Sequence, residues 1–326
     1  MSGSPGRTAA GVSSDAAGGA ASGGIELVFA GNLLVDDLVF PDGRSRMGQP
    51  GGAMIYASLG ASLWGARVGV VSVAGSDYPV DILRALEARG VDLSGVRRLD
   101  RQGLRTWLLY EEHGRRVLHQ LGSPSHAEVS PMPEQIPAKY LSARAIHLSP
   151  MPLESQRALV SDCVRRPGAF ISLDPHEPVR EENLGGWLET LRDVDAFFPG
   201  EDELKLDGAA DDPRGTLRRL GVGRLKLVAF KQGTRGGVLW ERECDRFVEW
   251  PPCEPPTVDH TGAGDAFAGG FLAGFVAGHG IEQALEWGAT SASFAIENWG
   301  ARGLLAASRE TAERRRQRLF RAEGSS

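Results

Sequence analysis

The stretch Val258–Asp265 reads VDHTGAGD and leads directly into the apolar run AFAGGFLAGFVAG at residues 266–278. A helix N-terminus exposes unpaired N–H groups and carries partial positive charge, so it is a natural site for an anion. Glycines at positions 262 and 264 would let the backbone come close to such a ligand. A carboxylate at the same place, on Asp265, suits a general base next to a phosphate. The pattern therefore predicts a phosphate-handling turn at the start of a buried helix.

The bulk composition is that of an ordinary globular protein. The chain has 326 residues, of which 41% are hydrophobic and 24% are charged. Its net charge of −6 argues against nucleic acid or an anionic membrane as the main partner. The three cysteines, Cys163, Cys244 and Cys253, lie far apart without metal-ligand spacing, and they are interpreted as buried or incidental thiols and not as a disulfide framework. This pattern favours a reducing compartment, and we expect a cytoplasmic protein.

The first 24 residues differ in texture from the rest of the chain. They are rich in Gly, Ser and Ala and lack the basic start and apolar core of a secretory signal. Such a segment cannot bury enough apolar surface to fold, so residues 1–24 are predicted to be a disordered tail. The folded domain is then expected over residues 25–322.

From Ile25 onward, strand-like runs alternate with helix-like segments. IELVFA, GGAMIYASLGASLWG and ARVGVVSVAG follow one another as strand, helix and strand, which is a βαβ unit with parallel strands. Further short strand-like runs occur at RAIHLSP, AFISLDP, VDAFFPG and LKLVAFKQG. The alternation predicts an α/β fold with a central, mostly parallel sheet between helical layers.

One segment breaks the alternation. LRTWLLYEEHGRRVLHQL, at residues 104–121, has two strand-like arms around a polar turn at 112–114, which is typical of a hairpin. The irregular stretch 33–50 could pair with it to form a small sheet. Such a sheet, from segments of about 33–50 and 103–121, could act as a lid that excludes water, or it could be a surface hairpin without a role.

Asp265 itself has two interpretations. A first-turn Asp can simply complement the helix dipole, and a lone Gly-x-Gly-Asp would favour that structural role. Here a second acid, Asp259, precedes the turn. The small residues that follow it would let the helix pack closely against a neighbour; they are Ala266, Ala268, Gly269 and Gly270. This context favours the catalytic interpretation.

Taken together, these motifs resemble the pfkB (ribokinase-like) family of carbohydrate kinases, from Ile25 to about Leu305. The VDHTGAGD turn is similar to the C-terminal signature of that family, and PGGAMIYAS at 50–58 to its N-terminal double-glycine motif. GARVGVVSVAGSDYPVDILRALEARGVD at 65–92 resembles the stretch that follows this motif. FFPGEDEL at 197–204 and FKQGTRGGVLW at 230–240 resemble the family's Asn-x-x-Glu strand end and its Gly-rich nucleotide-side hairpin.

The resemblance implies a ribokinase-like fold and transfer of the γ-phosphate of ATP, with Mg²⁺, to a hydroxyl of a sugar or polyol. Asp265 would then be the general base, and the N–H groups of Gly262, Ala263 and Gly264 would hold the transferred phosphate. The acceptor would contact Asp36, Gly51, Gly52 and Tyr56. The nucleotide would contact Lys231, Gly233, Gly236, Thr261, Gly264 and Asn298.

The resemblance also implies metal sites. Glu203 would hold Mg²⁺ through water, and the loop around Asp259 is similar to the family's monovalent-cation loop, which leaves K⁺ activation open. Several of these residues have ordinary structural alternatives. Glu203 lies in an acidic loop, Lys231 could be a solvated residue at a strand end, and Asn298 could belong to a helix C-terminal turn.

Three departures from the family pattern bear on the acceptor. Tyr56 stands where the family usually has an Asn, and its ring either narrows the acceptor pocket or turns into the core. Gly200 replaces the Asn of Asn-x-x-Glu, and His260 replaces a small residue or Pro. A nucleoside or an inositol-like cyclitol is therefore an alternative acceptor, and a non-catalytic sugar or nucleotide sensor is an alternative function.

Two other expectations concern classes and partners. The chain lacks the Gly-x-x-x-x-Gly-Lys-Ser/Thr motif, which excludes a P-loop kinase. The partner is expected to be a small molecule, and an exposed lid sheet leaves pairing with a second copy of the chain open.

Overall fold

The computed structural model describes residues 23–111, 114–166, 168–252 and 257–321. Apart from Gly23 and Gly24, the predicted disordered tail at 1–24 lies outside the described residues. Within the described ranges the chain forms one large sheet, one small sheet and a set of helices.

The strands, in chain order, are β1 (Leu27–Ala30), β2 (Leu34–Val39), β3 (Ser45–Gly51), β4 (Val68–Ala74), β5 (Asp92–Arg98), β6 (Arg105–Glu111), β7 (Gly114–His119), β8 (Ala145–Leu148), β9 (Phe170–Leu173), β10 (Ala196–Phe197), β11 (Leu227–Lys231), β12 (Gly237–Glu241) and β13 (Arg246–Trp250).

The helices, in chain order, are α1 (Ala53–Ser62), α2 (Val80–Ala88), α3 (His126–Val129), α4 (Leu153–Cys163), α5 (Leu184–Leu191), α6 (Pro213–Arg219), α7 (Ala263–Val276), α8 (Ile281–Ile296), α9 (Arg302–Ala306) and α10 (Arg309–Arg321). Among the described residues, none of these helices is both long and apolar enough to cross a membrane.

The main sheet has the order β13-β12-β11-β10-β9-β8-β1-β4-β5. The strands from β11 to β5 run parallel, while β12 and β13 are antiparallel additions at one edge. Alternate residues of β1 enter two different hydrophobic cores, because Leu27 and Phe29 pack on one face and Val28 and Ala30 on the other. A sheet covered on both faces accounts for these continuous apolar strands, and it confirms the predicted α/β fold.

The small sheet has the order β3-β2-β6-β7 and lies apart from the main sheet. β2 pairs with β6 in parallel, and both outer pairs are antiparallel. Its strands come from the two segments that the sequence singles out, although turn residues 112 and 113 lie outside the described residues. All four chain connections leave the sheet at the end that holds Leu34, Gly51, Arg105 and His119. The other end is therefore distant from its connections.

Helices α1 and α7 approach each other at backbone distance. A Cβ atom built on Gly60 would lie 2.5 Å from the Ala266 carbonyl oxygen, and one built on Gly269 would lie 2.1 Å from the Ala57 carbonyl oxygen. No larger residue fits at either glycine. Near this contact, Tyr56 in the first turn of α1 lies against Gly262, the N-cap of α7.

A histidine lies in the middle of the main sheet. His147 of β8 is 1% exposed, is in contact with the rings of Phe29 and Phe198, and has its Nδ1 3.0 Å from the Ser172 hydroxyl. Burial, followed by the positive charge of Lys231, lowers the pKa of His147 from 6.5 to about 3. The neutral imidazole is therefore part of the folded state.

This shifted pKa predicts acid sensitivity. The unfolded chain binds a proton on His147 below its pKa of 6.5 and the folded chain does so only near 3, so stability falls as the pH drops through this window. Between about pH 8 and about pH 5 the loss from this group should be about 2 kcal/mol. Urea unfolding of the wild type and of His147→Gln at both pH values measures it. The variant should lose less stability than the wild type over the same interval, and an equal loss in both proteins would contradict the assignment.

Candidate active site

A cleft of about 600 Å³ opens at the carboxyl ends of the parallel strands, beneath the small sheet. Its floor carries residues that directly follow strands, as in other open α/β sheets, where ligands bind at this edge. The small sheet contributes Leu34, Asp36, Thr106, Leu108 and Val117 to the opposite wall. The start of α7 forms a third side.

The turn before α7 has the geometry that its glycines predict. Gly262 is the N-cap of α7 and has φ 76°, in the left-handed region that favours glycine. The Ala266 amide donates to the Gly262 carbonyl over 2.9 Å, so the N–H groups of the preceding residues lie at the open end of the helix. Asp265, in the first turn, lines the cleft together with Gly262, Ala263 and Gly264. The structure thus brings the four predicted catalytic positions together.

A buried ion pair faces this turn. The Nζ atom of Lys231, at the end of β11, donates to Oδ2 of Asp174 over 2.7 Å, and the two side chains are 14% and 1% exposed. A Cβ atom built on Gly264 would lie 3.0 Å from the same Nζ, so the ammonium group lies against the start of α7. Burial opposes the charged form of Lys231, but the negative charges of Asp174 and Glu203 outweigh it and raise its pKa. Lys231 is therefore a permanent positive charge beside the turn at residues 261–264, which we call the anion turn.

The predicted acceptor carboxylate is held by a neighbouring strand. Asp36 of β2 is 6% exposed, and its Oδ1 accepts a hydrogen bond from the Thr106 hydroxyl. Gly51 provides the space for it, since a Cβ atom there would lie 2.0 Å from Asp36 Oδ2. Gly52 has φ 102° and lies close to the backbone of Asn32. The double glycine thus lets β3 enter α1 directly beside Asp36.

Tyr56 lies between the two helix starts. It is 2% exposed, and its ring fills the space beneath Gly262, where a Cβ atom would lie 2.1 Å from the ring carbon Cγ. Burial, followed by the charges of Asp259, Asp36 and Asp265, raises the pKa of Tyr56 well above 10.0, so its hydroxyl stays protonated. The ring reaches the cleft wall but mainly supports the turn. Contact between Tyr56 and the acceptor stays a prediction.

The acidic loop after β10 also reaches the cleft. Oε2 of Glu203 accepts a hydrogen bond from the Gly200 amide over 2.7 Å, and both residues line the cavity. Across from it, Oδ1 of the buried Asp174 has no hydrogen-bond partner within the described part of the chain. In the described ranges no three His, Cys, Asp or Glu side chains converge to hold a metal ion. A metal here would therefore rely on water and phosphate oxygens for most of its ligands.

Asp259 is buried and holds the anion turn in place. Its Oδ1 accepts from the Thr261 amide over 2.9 Å, and its Oδ2 accepts from the Gly300 amide over 3.0 Å. The hydroxyl of Tyr110 lies 3.2 Å from the same Oδ1. These bonds connect the turn to the end of α8 and to the small sheet.

A second cavity of about 120 Å³ adjoins the first on the far side of Lys231. It is a mostly apolar slot, lined by Gly233, Gly236, Trp250, Phe267, Ala289, Ala292 and Ile296 among others. Asn298, expected at this place, does not line either cavity; its side chain is exposed and accepts the Trp299 amide. Residues of α8 bound the slot instead. The position of Asn298 fits the alternative interpretation, in which it belongs to the turn after the C-terminus of α8.

Sequence reasoning missed several residues of the cleft. Asn32 and Asp174 directly follow the predicted strands, so their position at a parallel strand end was a usable signal. His126 and His176 come from distant segments, with ring nitrogens 3.2 Å apart at the rim. Burial, followed by the charges of His176 and His119, lowers the pKa of His126 to about 3. No sequence spacing could have shown that these histidines meet.

Comparisons with known proteins agree with this geometry. The sequence model of the pfkB family of carbohydrate kinases matches residues 42–307. The chain is 33% identical over 281 residues to a cytidine kinase of Thermococcus kodakarensis, covering 85% of this chain and 98% of that protein. It is 30% identical to a fructokinase of Klebsiella pneumoniae, covering 78% and 85%. A crystal structure of an E. coli ribokinase II with ATP and Mg²⁺ matches with a TM-score of 0.70 at 21% identity, covering 90% of this chain and 99% of that one.

The ion pair predicts a pair of contrasting lysine variants. Lys231→Met should lower phosphoryl-transfer turnover roughly 100-fold, because it removes a fixed charge from the anion turn. It should also destabilise the fold by about 3 kcal/mol, since Asp174 loses its buried partner. Lys226 precedes the same strand and pairs with Asp195 over 3.0 Å, away from the cleft.

Lys226→Met is therefore the matched control and should keep wild-type turnover. Adding Asp174→Asn to Lys231→Met should restore part of the stability without restoring turnover. Thermal unfolding and product formation measure the two effects separately. Equal turnover in the two single lysine variants would show that Lys231 has no role at the turn.

Proposed function

The chain belongs to the pfkB family of carbohydrate kinases and is an ATP-dependent phosphotransferase acting on a hydroxyl group, and on that premise we propose that its acceptor is a nucleoside. The single observation that carries the proposal is the mixed character of the acceptor wall. Asp36 and Thr106 offer polar groups to hydroxyls at one point, whereas Leu34, Leu108 and Val117 form an apolar surface beside them. A nucleoside combines hydroxyls at one end with a flat ring system at the other.

The half-buried imidazole of His126 adds to this interpretation. It lies at the same rim as His176, and its lowered pKa keeps it neutral at physiological pH. A neutral planar ring can stack on a base or exchange hydrogen bonds with it. The relative from Thermococcus kodakarensis, a cytidine kinase, supports a pyrimidine nucleoside as the first compound to test.

A sugar or polyol is the second candidate. The hydrogen-bonded Asp36 would bind the vicinal hydroxyls of either class, and one relative of 30% identity is a fructokinase. A sugar has no apolar ring system that would cover the apolar surface of the small sheet. We therefore place the sugar second.

The reaction can be derived from the residues of the cleft. Asp265 would orient the acceptor hydroxyl and take its proton as the phosphoryl group is transferred. The N–H groups at the start of α7 and the ammonium group of Lys231 would hold the negative charge of that phosphoryl group. Asp174 keeps Lys231 in place before any ligand arrives, so little reorganisation is needed. The small sheet covers the acceptor and excludes water.

The cavities fit ATP and Mg²⁺. The apolar slot between Trp250, Phe267 and α8 suits an adenine ring, and it opens toward Lys231 and the turn at Gly264. Glu203, together with the unpartnered Oδ1 of Asp174, would hold Mg²⁺ through water. When bound, Mg²⁺ supplies positive charge to the phosphate oxygens.

The expectation of a K⁺ site stays open. Each carboxylate oxygen of Asp259 accepts a hydrogen bond from one backbone amide and keeps a further lone pair that could bind a cation. The reaction above is written without a K⁺ ion.

Assembly and location complete the proposal. The outer face of the small sheet exposes Trp107 and Leu118, which are cross-strand neighbours, and a second copy of the chain would cover them in a homodimer. We place the enzyme in the cytoplasm, where ATP is supplied.

An acceptor panel tests the proposed substrate class. Formation of ADP should be measured with cytidine, uridine, adenosine, ribose, fructose and myo-inositol at saturating ATP and Mg²⁺. A nucleoside should give a kcat/KM at least about 100-fold above any sugar or polyol, because a ligand that leaves the apolar wall uncovered loses binding energy. A sugar or polyol as the best acceptor would overturn the proposal.

Two neighbouring leucines sharpen this test. Leu108 faces the cleft and Leu109 faces away, because residues alternate along β6. Leu108→Ala should raise the KM for the nucleoside roughly tenfold, whereas Leu109→Ala should leave it within about twofold of the wild type. Equal effects would show that the apolar wall does not contact the acceptor.

A change of the base tests the reaction itself. Asp265→Asn should lower kcat roughly 100-fold or more, since a general base commonly contributes a factor of 10²–10⁴. The dissociation constant of ATP should stay within about threefold, because the N–H groups of the turn are unchanged. Calorimetric titration and steady-state rates separate the two quantities. Near-wild-type kcat in this variant would remove Asp265 from the role of base.

A further inference from the structure

The inner face of β6 spans the cleft from the acceptor end to the phosphate end. Alternation along a strand places Thr106, Leu108 and Tyr110 on one face. Thr106 donates to Asp36, and Leu108 lines the cleft between the two ends. Tyr110, four residues and roughly 13 Å beyond Thr106, reaches the turn before α7. One strand thus contacts both Asp36, at the proposed acceptor site, and the turn before α7, at the proposed phosphate site.

The contact at the phosphate end is made through a hydroxyl. Tyr110 Oη lies 2.7 Å from Thr261 Oγ1 and 3.2 Å from Asp259 Oδ1. Asp259 in turn accepts hydrogen bonds from the backbone amides of Thr261 and Gly300. Thr261 directly precedes Gly262, the N-cap of α7. The hydroxyl of Tyr110 therefore joins the small sheet to the network that fixes the anion turn.

Aromatic contacts support the same end of the sheet. The ring of Phe40 stacks on Tyr110 with centroids 5.1 Å apart and meets Trp299 edge-on at 4.9 Å. The guanidinium of Arg46 lies 4.7 Å from the Trp299 ring centroid. All four connections of the small sheet are at its opposite end, so these non-covalent contacts hold the free end against the body of the protein.

We propose that Tyr110 is a positioning residue. Through its hydroxyl, the anion turn becomes well ordered when the small sheet lies closed over the acceptor and less ordered when it does not. An acceptor that binds against Asp36 and Leu108 holds β6 in place, and Tyr110 then holds Thr261 and Asp259. By linkage, the acceptor and the nucleotide strengthen each other's binding by the same factor. This inference requires the kinase activity of the family but does not depend on which acceptor is used.

Removal of the hydroxyl alone tests the inference. Tyr110→Phe keeps the stacking on Phe40 and removes the bonds to Thr261 and Asp259. Amide hydrogen exchange in the segment 258–265 should become roughly tenfold faster without any ligand, because the turn loses one of its supports. With cytidine at saturation, kcat should fall roughly tenfold, and the KM for ATP should rise roughly fivefold because the coupling to the acceptor is lost.

Binding measurements test the linkage directly. In the wild type, saturating cytidine should tighten the binding of a non-hydrolysable ATP analogue with Mg²⁺ about fivefold or more, whereas in Tyr110→Phe the factor should fall to within about twofold of unity. Tyr140→Phe is the matched control, since its hydroxyl donates to the Asp92 carbonyl over 2.7 Å, away from the cleft. This control should keep the wild-type exchange rate at 258–265.

The outcomes are separable. Unchanged exchange at 258–265 in Tyr110→Phe overturns the inference, whatever the acceptor is. If no nucleoside of the panel is phosphorylated, the proposed acceptor class fails, but the exchange experiment still decides the role of Tyr110. If exchange rises over the whole chain and not at this segment, the residue is only structural, and the inference also fails.

Discussion

The site depends on the backbone contact between α1 and α7. Gly60 and Gly269 allow the two helices to touch without intervening side chains, and the starts of both helices line one cleft. A side chain at either glycine would force the helices apart, because a close-packed core has no spare room for it. Asp36 and Asp265 would then no longer face one cleft. Backbone packing in the core thus sets the distance between the proposed base, Asp265, and the proposed acceptor-binding residue, Asp36.

The charged side chains in this part of the cleft are grouped around Lys231. Asp174, Glu203 and Asp265 surround Lys231, and burial of Asp174 strongly raises the pKa of that carboxyl, although the lysine counteracts the effect. A buried pair of this kind adds little to stability compared with apolar packing. Its value is positional, since the ammonium group is fixed against the start of α7 before a phosphate arrives.

Much of this structure could be predicted from the sequence, and the part that could not has a physical reason. The alternation of strands and helices depends on local periodicity, so the parallel sheet and the small sheet follow from short segments read one at a time. The turn at Gly262 could likewise be predicted, because two closely spaced glycines followed by an apolar run are a local sequence pattern. Tyr110 was missed because its contacts with Asp259 and Thr261 arise only when the small sheet meets the turn before α7, whereas Asp174 could have been found from its position at a strand end. Asn298 was placed by motif order alone, and the helix end turns its side chain outward.

The contact between Tyr56 and Gly262 gives the two positions unequal freedom to vary. Position 262 is restricted twice, by its positive φ and by the ring that occupies the space of a Cβ atom. Position 56 is restricted only by volume, and a smaller side chain there would leave the glycine conformation untouched. Natural or laboratory variants can therefore change residue 56, and with it the shape of the cleft, while the turn at Gly262 keeps its conformation. Substitutions at residue 56 can therefore change which acceptors fit the cleft without changing the phosphoryl-transfer reaction.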